Sequence, residues 1–489
     1  MPFGISYDII STLSRWGIHG FYREIRIMGC ENVPKEGPLI VCCTHNNMVV
    51  DPAVLATTFP HKRKIHLWAK NSLFFNKIFN YILYNSGVVP VDRTTKNNQA
   101  LFSATFEVLQ KGEIVAVFPE GTSHSESRLL EFKDGASWAA LEYPAYLDEE
   151  SKKSFNKENK KKQKEPMFTN IIPCGITYVQ KSKYRSLVIV AYGRQIQVEP
   201  YIKDFEIDKR TTVKKLTKHI QTEMEKLTIN APNWEISNAA TMTRLLLFSD
   251  DKLLSLEDFV RTTQSLINFY TNTTSDEVTS LKTSLNQYKT ALDDFSLLNA
   301  DIKRYEKHIL SIPRAFYTLI YELFTFFIQL PFFLPGIIFH WPIYVLGKIS
   351  VKFEKYEESI AQNKIMLGLT WLIISYTTLF FILWISLFFT SSGFVLGAGV
   401  VFMFAWYHNT FVDSHYDKFK ELIASFRLFT ALSNGKGSRS RELVEGLVMK
   451  RRQCLDELTR ISKEYRSKSD DLRSVMEFSE KEYYSNEKK

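Results

Sequence analysis

The chain has 489 residues, a net charge of +9, 45% hydrophobic residues and 14% aromatics. That length allows two or three domains and a sizeable core. A basic chain can serve nucleic acid, an anionic bilayer or phosphorylated small molecules. No zinc-finger spacing and no aromatic RNA-binding signature is present, which excludes nucleic acid as the partner. Cys30, Cys42, Cys43, Cys174 and Cys454 show neither CxxC spacing nor an even framework, the pattern of reduced thiols facing the cytosol.

In chain order, residues 5–28 place Ile9, Ile10, Leu13, Trp16, Ile18 and Phe21 at helical intervals. This predicts an amphipathic helix that either lies at a membrane interface or packs on the next domain, with 1–22 as the candidate interface segment. The chain lacks a basic n-region and a cleavage site there, so no removed signal is expected. From 23 to 200, short apolar runs alternate with helical stretches. Strands are expected at 39–44, 64–69, 87–91, 114–119, 171–178 and 186–193, and helices at 52–59, 72–85, 97–111 and 134–143. Such alternation predicts an α/β domain with a mostly parallel, buried sheet flanked by helices. Within it, 151–166 holds seven lysines and almost nothing apolar, and reads as a disordered, solvated insertion.

Residues 201–312 read as a soluble helical region. A C-terminal α-helical membrane region then occupies 313–411. Segment 315–347 is apolar but interrupted by "PFFLPG", so it is either one long helix or two halves bent at Pro331 and Pro335, spanning or re-entrant. Residues 365–389 carry no charge over 25 positions, enough to cross a bilayer, and 393–410 forms a further span. Lys348, Lys352, Lys355 and Lys364, together with "KGSRSR" and "KRR" in the basic helical tail 412–489, put the 348–364 connection and the tail in the cytosol. The uncharged 390–392 turn then faces the lumen. A re-entrant 315–347 puts the N-terminal domain in the cytosol as well, and the free cysteines agree.

The chemistry-bearing residues fall at strand ends. "CCTHNNMVVDP" follows the first buried run, so His45 lies at the C-terminal edge of a strand, where open α/β sheets bind ligands. Asp51, directly before Pro52, reads as a helix N-cap. "GVVPVDR" ends another strand with Arg93, "WAKNS" another with Lys70, and "FPEGTSHSE" a fourth with Glu120, Gly121, Thr122 and Ser123. Lys133 precedes a helix in "FKDG". A neutral imidazole suits removal of a hydroxyl proton near pH 7, and a carboxylate on its other nitrogen fixes the tautomer. His45 is therefore the candidate general base and Asp51 its orienting partner. No serine or cysteine sits in a nucleophile elbow, so no covalent intermediate is expected. His124 reads as a loop histidine.

Together "HNNMVVDP", "GVVPVDR", "FPEGTSHSE" and "GITYVQKSKYRSLVIVAYG" resemble the glycerophosphate acyltransferase (PlsC-like) superfamily. Within it they are most similar to the fungal-type glycerol-3-phosphate/dihydroxyacetone-phosphate O-acyltransferases of the endoplasmic reticulum. The resemblance implies acyl transfer from acyl-CoA to the sn-1 hydroxyl of glycerol 3-phosphate or dihydroxyacetone phosphate, the first step of phospholipid and triacylglycerol synthesis. It implies no metal and no cofactor beyond acyl-CoA as co-substrate. Arg93, Lys70, Glu120, Gly121, Thr122, Ser123 and Lys133 would line the acceptor and phosphate site. The partners expected are these substrates and the bilayer, with a homo-oligomer left open. Two departures stand out. Five residues separate His45 from Asp51, where four are usual. Ser123 stands where many relatives carry arginine. The alternatives are a lysophospholipid or lysophosphatidate acyltransferase and a non-enzymatic lipid-binding scaffold.

Overall fold

Uncharged runs rich in Val, Ile and Cys make strands that can be buried on both faces, and the helical stretches between them supply the cover. The computed structural model describes residues 2–91, 98–155, 168–248, 254–295, 297–307, 312–433 and 439–487. It divides into two units. The first holds Met1–Ser125, Leu129–Thr228 and Ile343–Ile373; the second holds Glu126–Arg128, Ile229–Pro342 and Ile374–Lys489.

The first unit begins with α1 (Ile5–Phe21) and β1 (Glu24–Met28). There follow β2 (Leu39–Cys43), α2 (Val50–Thr58), β3 (Ile65–Lys70), α3 (Lys77–Asn85), β4 (Val89–Val91), α4 (Asn98–Gln110) and β5 (Ile114–Val117). It continues through α5 (Gly135–Phe155), β6 (Asn170–Tyr178), β7 (Leu187–Tyr192), α6 (Glu199–Ile207) and α7 (Lys209–Glu225). The seven strands form one sheet in the order β1-β7-β6-β2-β5-β3-β4. All pairs are parallel except β6 with β7. Val41 lies between Ala116 and Ile172 at the sheet centre.

Side chains alternate across this sheet with the period of two that a pleat imposes. Ile40, Cys42, Val115 and Val117 pack under α4, α5 and α7, while Leu39, Val41, Cys43 and Ala116 pack under α1 and α2. Cys42 and Cys43 are thus core residues on opposite faces. Burial pushes the Cys42 thiol up to about 12, which removes it as a nucleophile.

Several expectations change. The run 5–28 is a helix followed by a strand, because Gly29 at φ 68° and the parallel partner β7 draw Glu24–Met28 into the sheet edge. The expected helix at 134–143 runs on to Phe155, so residues 151–155 of the lysine-rich insertion are helical; 156–166 lie outside the described residues. The helical region 201–312 divides between the two units. Its helices α6 and α7 complete the first unit, with Val213, Leu216 and Ile220 in the core.

The second unit contains α8 (Trp234–Leu247), α9 (Leu256–Asn272), α10 (Asp276–Asp294) and α11 (Asn299–Lys307). The basic tail folds back on them as α15 (Arg439–Tyr465) and α16 (Asp470–Glu487), with α10 against α15 and α9 against α16. Arg451 of α15 donates from Nε to Asn299 Oδ1 at 3.2 Å and pairs with Glu306. Among the described residues, three helices are long and apolar enough to cross a membrane: α12 (Ile312–Phe353), α13 (Glu357–Ser386) and α14 (Ser391–Ser433). α12 is continuous through Pro331, Pro335 and Pro342, so "PFFLPG" does not break it into two half-helices. α14 extends far past the expected end at 410, because the polar residues after 408 stay helical.

Candidate active site

β2 delivers His45 to the C-terminal edge of the sheet, and β5 delivers Glu120 beside it. His45 Nδ1 lies 3.1 Å from Asp51 Oδ2. The Asp51 side chain is fully buried, whereas 19% of the His45 side chain is exposed. The imidazole stacks on Phe118 with ring centroids 4.3 Å apart. This arrangement holds the ring at Nδ1, and among the described residues no hydrogen-bond partner meets Nε2; a ring held in this way can accept a proton at Nε2.

Asp51 is not an N-cap. α2 begins one residue earlier, and its N-cap is Val49. The carboxylate instead turns inward. Oδ2 accepts from the Asn47 backbone N–H at 2.7 Å as well as facing His45, and Oδ1 accepts from the Tyr178 hydroxyl at 2.6 Å. Burial, then the Asp51 charge, holds the Tyr178 phenol well above its ordinary range, so it stays a donor.

The five-residue spacing is absorbed by a tight turn. Val50 N–H and Asp51 N–H both bond to the Asn47 carbonyl, at 2.8 and 3.2 Å. Met48 takes up the extra residue at φ 27°, a conformation few side chains adopt.

Glu120 is buried, and both its oxygens are engaged by protein. Oε1 accepts from the His45 backbone N–H at 2.8 Å. Oε2 accepts from Leu130 N–H at 3.0 Å and bonds His124 Nε2. His124 is therefore a buried partner of Glu120 and not a loop histidine at the surface. Its own N–H donates to the His45 carbonyl at 3.2 Å. Glu120 thus fixes the backbone that carries the imidazole.

Gly121 sits at φ 74°, and a Cβ there would meet Lys133 Nζ at 2.4 Å. The positive φ favours glycine, and the turn brings the Lys133 side chain over the 120–123 loop. Thr122 and Ser123 follow in the same loop. Lys70 ends β3, exposed on the same edge. Arg93 lies outside the described residues.

Sequence reasoning missed three contributors. Tyr178 ends β6, where strand alternation alone aims it toward β2. Lys181, just after β6, donates to the His124 carbonyl at 3.2 Å and to Ser125 Oγ at 3.0 Å. Burial lowers its ammonium pKa, an effect opposed by Glu357, Asp51 and Glu358. The first two turns of α13 are the third. Gln362 accepts from Val49 N–H at 3.3 Å, Glu358 from Ser125 Oγ at 3.2 Å, and Lys364 donates to the Ser182 carbonyl at 2.7 Å. No local pattern marks these contacts, because they join residues more than 180 positions apart.

A histidine–carboxylate pair lies at the C-terminal edge of an open, mainly parallel sheet, and residues 24–176, which carry it, match the acyltransferase family model. The chain also carries a second element: the model for the glycerol-3-phosphate acyltransferase 2 C-terminal domain matches residues 239–461, covering most of the helices that had no recognisable motif. Glycerol-3-phosphate O-acyltransferase 2 of Saccharomyces cerevisiae is 27% identical over 269 residues, 55% of this chain and 34% of that protein. A 1-acyl-sn-glycerol-3-phosphate acyltransferase of Bacillus subtilis is 31% identical over 102 residues, 21% of this chain and 50% of that protein. The chain thus spans between about a third and half the length of these relatives. The crystal structure of the lysophosphatidate acyltransferase PlsC from Thermotoga maritima aligns with a TM-score of 0.31 and 17% identity, over 45% of this chain and 80% of that one.

Proposed function

We propose that the protein transfers a fatty acyl group from acyl-CoA to the sn-1 hydroxyl of glycerol 3-phosphate, or of dihydroxyacetone phosphate. The observation that carries this reading is the His45–Asp51 pair, held through Asp51 by Tyr178. His45 takes the proton as the acceptor oxygen attacks the thioester carbonyl. The C–S bond breaks, and the proton passes to the departing CoA sulfur. Asp51 stabilises the imidazolium that forms between these steps. Lys133, Lys70 and Arg93 supply cations for the acceptor phosphate, and the backbone at Gly121 allows its close approach.

The substrate assignment follows the relatives. The match to the glycerol-3-phosphate enzyme of yeast covers more than half of the chain, while the bacterial 1-acyl-glycerol-3-phosphate enzyme aligns over 21% of it. An acyl-CoA assay on the purified full chain with glycerol 3-phosphate, dihydroxyacetone phosphate and 1-acyl-glycerol 3-phosphate tests it. Turnover of the first or second acceptor well above the third is expected. Activity confined to the lysolipid would reassign the protein as a lysophosphatidate acyltransferase.

The site faces the cytosol at the endoplasmic reticulum in this reading. The register of α12 on α14 supports it: Phe316 packs against Phe429, Phe326 against Phe419, and Phe333 against His415. That stretch of α14 carries Asp413, Asp417, Lys418, Lys420, Glu421 and Arg427, and Lys418 lies 3.8 Å from Glu322 of α12. The first half of α12 therefore runs beside a charged segment that cannot sit in hydrocarbon. The charge-free hairpin of α13 and the start of α14 alone crosses, so α12 begins and ends on the cytosolic side.

A further inference from the structure

α3 packs on α1 only in part and leaves most of its apolar side chains bare. Its sequence is KIFNYILYN, and none of its residues is buried. Ile78 and Tyr81 are 71% and 68% exposed, and Phe75 just before the helix is 69% exposed. The Phe75 and Phe79 rings meet at a tilt of 31° with centroids 4.9 Å apart, and 48% of Phe79 is exposed. A nine-residue helix of this kind in water would leave a contiguous apolar patch bare, which soluble surfaces avoid.

The helix is not isolated. Gly4 donates its N–H to the Asn85 carbonyl at 2.8 Å, joining the start of α1 to the end of α3. α1 in turn lies on α13: a Cβ at Gly17 would fall 2.7 Å from Ile365 and 2.9 Å from Leu369. α1 exposes Ile5, Ile9 and Trp16 at spacings of four and seven, one side of a helix. Ile365 and Leu369 begin the charge-free stretch of α13 that crosses the membrane. The three helices therefore form a contiguous set that ends in a transmembrane segment.

We infer that α3, with Phe75, is a second interfacial element that dips into the cytosolic leaflet of the bilayer entered by α13. Aromatic and aliphatic side chains on a short helix, flanked by exposed Lys70 and Lys77, fit the boundary between headgroups and acyl chains. The consequence is positional. α3 leaves β3 directly after Lys70 and returns to β4, whose end leads to Arg93, so the lipid surface meets the same sheet edge that carries His45.

Depth probes on the full chain test this. In a Cys30→Ser background, which removes the one cysteine that is not buried, Ile78→Cys is labelled with an environment-sensitive fluorophore. The protein is reconstituted in phosphatidylcholine–phosphatidylserine vesicles. Thr222→Cys, exposed on α7, serves as the aqueous control. The label at 78 should be quenched by lipid-borne nitroxide and protected from iodide, while the label at 222 shows the reverse. Iodide quenching at 78 equal to that at 222 overturns the inference. So does protection from both quenchers with Ile78→Cys cross-linking between chains, which would make the occupant a second copy.

Discussion

His45 is useful because one nitrogen is committed and the other is not. Asp51 holds Nδ1 from a fully buried position, and that position is maintained by Asn47 and Tyr178. Removing the base removes the proton acceptor, so His45→Ala should lower turnover by about 10²–10⁴. Its thermal unfolding should match wild type; a folded His45→Ala protein with wild-type turnover rejects the mechanism. Tyr178 acts through Asp51 and should respond differently. A hydrogen bond to a charged group is worth about 1.5–3 kcal/mol, so Tyr178→Phe should reduce kcat by roughly tenfold and leave the acceptor KM near wild type. An unchanged kcat would show that Asn47 alone orients the carboxylate. The pair itself was legible in the sequence, because a histidine at a strand end followed by an aspartate is a local pattern. Its setting was not: Asp51 read as a helix cap, Glu120 as a substrate ligand and His124 as a surface residue. Whether a polar side chain turns outward or into the fold depends on its neighbours in space, and here those are Tyr178, Leu130 and the His45 backbone.

At the scale of elements, the strands followed the apolar runs closely because a parallel sheet buries both faces and needs uninterrupted hydrophobic stretches. β1 was hidden inside an amphipathic pattern, since an edge strand needs only one good face. The close approach of α1 to α13 depends on one glycine. A Cβ at Gly17 would press on Ile365 and Leu369, whereas one at Gly20 would meet nothing within 4 Å. Gly17→Leu should therefore destabilise the first unit by about 1–3 kcal/mol through overpacking, and Gly20→Leu should be nearly neutral. Thermal unfolding of the two variants side by side measures the difference; equal melting would mean that α1 does not seat on α13. The seat has a functional side, because the first turns of α13 also touch Val49 and Ser125 beside the catalytic loop.

At the scale of the whole molecule, the sidedness of the membrane region decides which substrates reach His45. Asn272, at the end of α9, begins the sequon Asn-Thr-Thr. In the proposed topology α9 lies in the cytosol, where that asparagine never meets the glycosylation machinery. Endoglycosidase treatment of protein taken from a eukaryotic membrane should leave its gel mobility unchanged. A shift abolished by Asn272→Gln would put α9 in the lumen and make α12 a true span.

Legible in the sequence by itself were the alternating α/β pattern of the first unit, the His45–Asp51 juxtaposition and the charge-free runs of α13 and α14. Each of these rests on short-range regularities: periodicity, composition, and charge flanking an apolar run. Tertiary structure decided what those regularities do not encode. It showed α12 continuous through three prolines, with Phe316, Phe326 and Phe333 packed on α14. It showed the basic tail folded onto α10 and α9, with the Arg451–Glu306 pair closing a separation of 145 residues. It also showed the start of a membrane helix holding the catalytic loop. Contacts at such separations arise only when the whole chain has chosen its packing, so no window of the sequence contains them.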